Sequence, residues 1–348
     1  MDMKKWKESI LSGSNKKAMP VLSFPCVQLM GITVKQLISD SALQAEGMKR
    51  ISERTDCLIS VSMMDLSVEA EAFGSNIRKS DDEVPTVTGR IIEKEEDADK
   101  LKIPDVMSGR TGLYIKAIEK AAREIRDRPV FGGVIGPFSL AGRLMDMSEI
   151  MANCYDEPDF VNKTLEKTSE FITNYILEFK KAGANGVVMA EPAAGLLSPG
   201  LADEFSSRYV KRIADRVKDD NFLFLYHNCG PNTPLMLPSL INIGADIYHF
   251  GDAVKMTHVL EGMPPDIPVA GNISPAVQFR NGTVESIYAV TTELLRECSK
   301  YRNFIISSGC DIPPLTPWEN IDSFFRAVED FYETRDRRPG SIKQDRNA

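Results

Sequence analysis

The sequence predicts a closed (β/α)8 barrel of the TIM type, with a helical extension before it and an insertion after its second strand. Three observations predict this fold. Strand-like runs rich in β-formers alternate with helix-periodic stretches, the βαβα order that implies a parallel sheet. The alternation counts to eight units without a Gly-x-Gly-x-x-Gly fingerprint, which favours a barrel over a doubly wound dinucleotide fold. The 348 residues, 43% of them hydrophobic, suffice for one large core.

Each element follows from local pattern. Residues 1–17 read as a short amphipathic helix with Trp6, Ile10 and Leu11 on its apolar side, placed across the bottom of the barrel. Strands are expected at 20–29, 57–62, 129–135, 186–190, 222–226, 246–250, 267–270 and 304–307. Helices are expected at 34–54, 112–127, 159–182, 201–217, 234–243, 258–263, 284–300 and 318–332. Between 65 and 107 the alternation lapses, and that stretch reads as an insertion over one end of the barrel. The units are thus an extension over 1–19, a barrel over 20–335 and a charged, disordered tail over 336–348.

Bulk properties narrow the function classes. A formal net charge of −8 argues against nucleic acid or an anionic membrane as partner. No apolar run has the length of a signal peptide or a membrane span, and the six cysteines are scattered rather than set in a disulfide framework. Together these traits predict a cytoplasmic enzyme or binding protein in a reducing compartment.

Chemistry in such barrels gathers at the C-terminal ends of the strands. Five of those ends carry polar, ligand-capable residues: Glu191, His227 with Cys229, His249, Asn272, and Cys310 with Asp311. His227 and Cys229 alternate along an extended backbone, so their side chains can converge. With Cys310 they make an imidazole and two sulfurs, a donor set that suits zinc and leaves one position open. The alternative makes His227 a hydrogen-bonded residue and the cysteines small buried hydrophobes. Glu191 is the candidate for a replaceable ligand or a base beside the site, or else a cap or loop salt bridge. His249 and Asn272 are candidates for holding substrate or cofactor, and Asp311 for a hydrogen bond to the site. Cys26, Cys57, Cys154 and Cys298 lack partners at ligand spacing, and His258 reads as structural.

Several stretches taken together carry a resemblance. They are Val68-Glu69-Ala70-Glu71-Ala72-Phe73-Gly74, Gly136-Pro137-Phe138-Ser139-Leu140-Ala141, His227-Asn228-Cys229-Gly230, Gly271-Asn272-Ile273-Ser274-Pro275, and Gly309-Cys310-Asp311 with its proline-rich continuation to Pro317. Over most of residues 20–335 the chain resembles the uroporphyrinogen decarboxylase superfamily, and within it the zinc-dependent, corrinoid-linked methyltransferase branch. The resemblance implies zinc bound by His227, Cys229 and Cys310, and methyl exchange with a cobalt corrinoid carried on a separate small protein. The expected activity is methyl transfer between that corrinoid and a zinc-activated acceptor, a thiol first. The alternatives are demethylation of a methyl ether or methanol-like donor, uroporphyrinogen decarboxylation, and zinc or corrinoid binding without turnover. True decarboxylases carry a Met-Arg-Gln-Ala-Gly-Arg motif near the N-terminus. Here the corresponding stretch is Pro25-Cys26-Val27-Gln28-Leu29-Met30-Gly31, and no arginine precedes Arg50, so a polycarboxylate would lack its clamp.

Overall fold

The computed structural model describes residues 1–336; the tail expected over 336–348 lies, past its first residue, outside the described residues. Seven parallel strands form one curled sheet: β1 (Ser60–Val61), β4 (Val130–Ile135), β5 (Gly186–Ala190), β6 (Leu223–Asn228), β7 (Ile247–Phe250), β8 (Val269–Ile273) and β9 (Phe304–Ser308). Each follows its neighbour in chain order, with helices between. Two further strands, β2 (Asn76–Arg78) and β3 (Thr86–Thr88), pair as an antiparallel hairpin in the expected insertion.

The first expected strand, over 20–29, is corrected. Residues 18–21 do lie between β9 and β1, where Met19 N–H donates to Ile306 O at 2.9 Å and Leu58 N–H donates to Ala18 O at 2.8 Å. This stave closes the barrel without forming a regular ladder. Pro20 has no N–H to give, and Val21 N–H goes to the Ser308 hydroxyl at 3.0 Å instead of a backbone partner. Further on, Cys26–Met30 is helical and stops at Gly31, whose φ of 63° suits the left-handed cap.

The helices fall close to expectation, with two differences. The stretch over 34–54 breaks into Val34–Leu37 and Ser41–Arg54, because Asp40 leaves the helix to accept the Ala42 and Leu43 N–H groups. Two helices not foreseen, Pro137–Met145 and Met147–Asp156, precede the long helix Pro158–Lys181. Their joint is Asp146, which caps the second by accepting Ser148 N–H at 2.8 Å.

Period-two alternation builds the barrel interior. Phe131, Val188, Leu223, Leu225, Ile247, Ala270 and Ile305 fill it with apolar volume. The N-terminal helix Met3–Ser12 closes the lower end, inserting Met3 and Ile10 into that cluster with Trp6 against it. Its placement at the N-terminal ends of the strands is fixed by polar contacts. Met3 N–H donates to Asp220 O at 3.0 Å and Lys7 pairs with Asp246 at 2.9 Å, and these acceptors precede β6 and β7. The insertion is pinned at the other end by Arg110, which bonds Asp65, Glu71 and the Ser67 hydroxyl from a nearly buried position.

Candidate metal centre

The same alternation that packs the lower barrel delivers polar side chains at its upper rim. The inward file of β6 runs Leu223, Leu225, His227 and, past the strand end, Cys229. That of β7 runs Ile247 to His249, and that of β9 runs Ile305 to Ser307. Ala190, His227, His249 and Ala270 share one row across four strands.

Ligand atoms of His227, Cys229 and Cys310 lie within 4.8 Å of one another, the convergence expected of a three-residue cation site. The loop bearing Cys229 is shaped by Asn228, which accepts Gly230 N–H at 2.9 Å and donates to Glu191 O at 3.1 Å. Gly251 lies against its other side: a Cβ there would sit 2.4 Å from that of Cys229, so only glycine fits. Asn272 does not reach out to a ligand with its amide. The amide donates to Gly251 O at 2.8 Å and Val254 O at 2.7 Å, tying the end of β8 to the loop that supports Cys229.

The donor set fits a soft divalent cation. His227 Nε2 is buried with no hydrogen-bond partner, a state that costs about 1–3 kcal/mol unless something else uses the lone pair. Cys229 and Cys310 share a proton unequally. A hydrogen bond from Cys229 and the nearby His227 hold the Cys310 thiol well below its ordinary value, and the Cys229 thiol is pushed up in consequence. An imidazole nitrogen and two sulfurs converging on one point are the donors that zinc takes.

A cavity of about 550 Å³ opens beside this group. His227 and Cys310 form part of its wall with Val21, Met64, Leu66 and Arg143. Asp311 also lines it, accepting from the Ser23 hydroxyl at 3.2 Å. Burial, reinforced by the charge on Cys310, pushes the Asp311 carboxyl well above the carboxylate range.

Besides Asn272, two further expectations are corrected by geometry. Glu191 is not at the open side of the cluster. Ala190 takes the inward position on β5, so the next side chain turns to the outer face. There Glu191 accepts Phe138 N–H at 2.8 Å, Ser139 N–H at 3.2 Å and the Ser206 hydroxyl at 3.2 Å, at the start of the Pro137–Met145 helix. Burial pushes its carboxyl up to about 8 despite those donors. His249 does not line the cavity either. It stands behind His227, with its Nδ1 2.8 Å from His227 Nδ1 and its Nε2 2.7 Å from the Ser307 hydroxyl. His258 is exposed on the helix Met256–Gly262, and Cys26, Cys57, Cys154 and Cys298 are buried away from the cluster.

Sequence reasoning missed Arg143 and Ser307. Arg143 had a signal: it is the one charged residue in Pro137–Met145, and the one not fully buried. Ser307 had none, since a serine inside a strand is unremarkable until its neighbours are known.

Residues 16–331 match the uroporphyrinogen decarboxylase (URO-D) family, and the chain belongs to it. It is similar to the methylcobamide:CoM methyltransferase MtbA of Methanosarcina mazei, at 26% identity over 342 residues, 93% of this chain and 98% of that one. A uroporphyrinogen decarboxylase of a Synechococcus species is 32% identical, but over only 57% of each chain. Among solved structures, a methyltransferase from Methanosarcina mazei superposes with a TM-score of 0.85 at 22% identity, covering 95% of this chain and 99% of that one, which establishes the shared barrel.

Proposed function

We propose that this methyltransferase is zinc-dependent and moves a methyl group between a corrinoid carried on a separate small protein and a small thiol bearing an acidic group. The observation that carries the reading is the unpartnered His227 Nε2, set with Cys229 and Cys310, where His227 and Cys310 stand in the wall of a cavity. These three residues would hold the metal, and bound zinc supplies the Lewis acidity that keeps a sulfur as thiolate at neutral pH. His227 would contribute an imidazole nitrogen, and Cys229 and Cys310 two sulfurs.

The cavity wall favours an acid-bearing thiol over an aryl methyl ether. No Phe, Tyr or Trp lines it, whereas Arg143 and Arg280 do, with Asp82, Glu83 and Asp311 elsewhere in the wall. Arg143 makes no ion pair with any carboxylate among the described residues, and burial pulls its guanidinium below the ordinary value, a cost that an incoming anion removes. The cavity has small-molecule dimensions. A protein-borne corrinoid therefore presents its methyl group from the mouth. Exposed Leu196, Leu235, Val277 and Leu315 follow β5, β6, β8 and β9 and offer an apolar rim for such a carrier. No helix among the described residues is long and apolar enough to cross a membrane.

The test is metal analysis of wild type beside Cys310→Ser, paired with methyl transfer from methylcobalamin to a panel of thiols. Wild type is expected to hold one zinc and prefer thiols with an anionic tail. Cys310→Ser loses zinc and activity together, and Arg143→Leu raises KM for the acidic thiol about 10–100-fold, the loss of one charge-assisted contact. Unchanged zinc in Cys310→Ser, or full turnover in chelator, overturns the reading.

A further inference from the structure

The chain of contacts behind His227 has a direction, and the direction fixes a proton. Ser307 Oγ lies 2.7 Å from the backbone carbonyl of Met19, and a carbonyl only accepts. The single hydroxyl proton therefore goes to Met19 O. The other contact of that hydroxyl, 2.7 Å to His249 Nε2, is one in which the imidazole donates. His249 is 1% exposed, and burial disfavours a charged ring, so its one proton is on Nε2 and its Nδ1 is an acceptor. His249 Nδ1 lies 2.8 Å from His227 Nδ1, which must then carry the proton between them. A second, longer contact favours the same answer: His227 Nδ1 is also 3.3 Å from His249 O, again a carbonyl that accepts only.

We propose that His249, oriented by Ser307 and the Met19 carbonyl, is a positioning residue that locks His227 in the Nδ1–H tautomer and turns its Nε2 lone pair toward Cys229 and Cys310. With the relay reversed, the Ser307 proton pointing at His249 would put a proton on His227 Nε2, where a cation must bind. The irregular stave at 18–21 thus does more than close the barrel, since its carbonyl sets the sense of the relay. A metal-ligating histidine usually has its second nitrogen held by a carboxylate or carbonyl. Here a second histidine does the holding, with a carbonyl two links further back. The inference rests on reading His227 as a ligand, but the tautomer itself can be read without metal.

The experiment uses full-length protein labelled with 15N in its three histidines, His227, His249 and His258. Long-range 1H–15N spectra of the metal-free protein report which ring nitrogen carries the proton, and chelator competition reports zinc affinity. In wild type His227 should show Nδ1–H and His249 Nε2–H. Ser307→Ala should mix the two tautomers at both rings and weaken zinc about 10–100-fold, with Ser307→Thr restoring both readouts. His249→Phe should weaken zinc at least as much, because only the longer contact to the backbone carbonyl of residue 249 is left to hold the His227 ring. A proton on Nε2 of His227 in wild type would overturn the proposal. So would Ser307→Ala and His249→Phe that both retain the wild-type tautomer and zinc affinity. If wild type shows the expected tautomers but takes up no zinc, the metal reading fails and the relay stands.

Discussion

The two ends of the barrel are built by the same strands under the same alternation, yet they differ in what they bury. The lower end takes apolar side chains from the strands and is stoppered by Met3 and Ile10 of the N-terminal helix. The upper end buries His227, His249, Ser307, Glu69 and Glu191, and leaves His227 Nε2 and Glu69 Oε2 without partners. Unpaired buried polar atoms are costly, so the upper end is held in place by the lower one and by the surrounding helices. Stability and chemistry are thereby separated along the strand axis, as expected for such barrels.

The largest expected effect breaks that separation from below. Leu223→Ala at the lower end should cost about 2–5 kcal/mol in chemical denaturation while leaving zinc stoichiometry unchanged. If zinc is lost as well, the two ends are not independent. Next comes the pH dependence of the upper end. Glu69 and Glu191 are both pushed up to about 8 by burial, so the folded state favours their protonated forms. Their contribution is fully present below about 4.5, the ordinary carboxyl value, and is lost as pH rises through about 8. Denaturation midpoints should therefore fall between pH 5 and pH 9, and Glu69→Gln should flatten part of that slope. An unchanged slope would show that Glu69 does not titrate in this window. The smallest effect sharpens the comparison from above. Gly251→Ala forces a methyl group against Cys229, with an overpacking cost of about 1–3 kcal/mol and weakened zinc binding. Unaltered affinity would mean the Cys229 loop adjusts freely.

Much of this was legible in the chain itself, for reasons that differ by element. The later strands and the long helix Pro158–Lys181 carry strong periodic signals that packing then reinforces. The convergence of His227, Cys229 and Cys310 followed from placing each at a strand end, because a parallel barrel brings all such ends to one rim. The stave at 18–21 was blurred because closing a barrel needs only a few hydrogen bonds, and Pro20 weakens the strand pattern. Glu191 was misplaced because a residue just past a strand can face either layer, and only the position of Ala190 shows which.

The sequence by itself determined the barrel, its lower stopper and the three ligand-type residues at the mouth, since periodicity and residue chemistry are local properties. Tertiary structure alone decided which nitrogen of His227 is free, that Arg143 stands in the cavity wall without a direct ion pair among the described residues, and that Glu191 holds a helix start rather than the cluster. Those facts depend on which atoms from distant segments come within hydrogen-bond reach. Met19 and Ser307, 288 residues apart, are within 2.7 Å only because the sheet closes on itself.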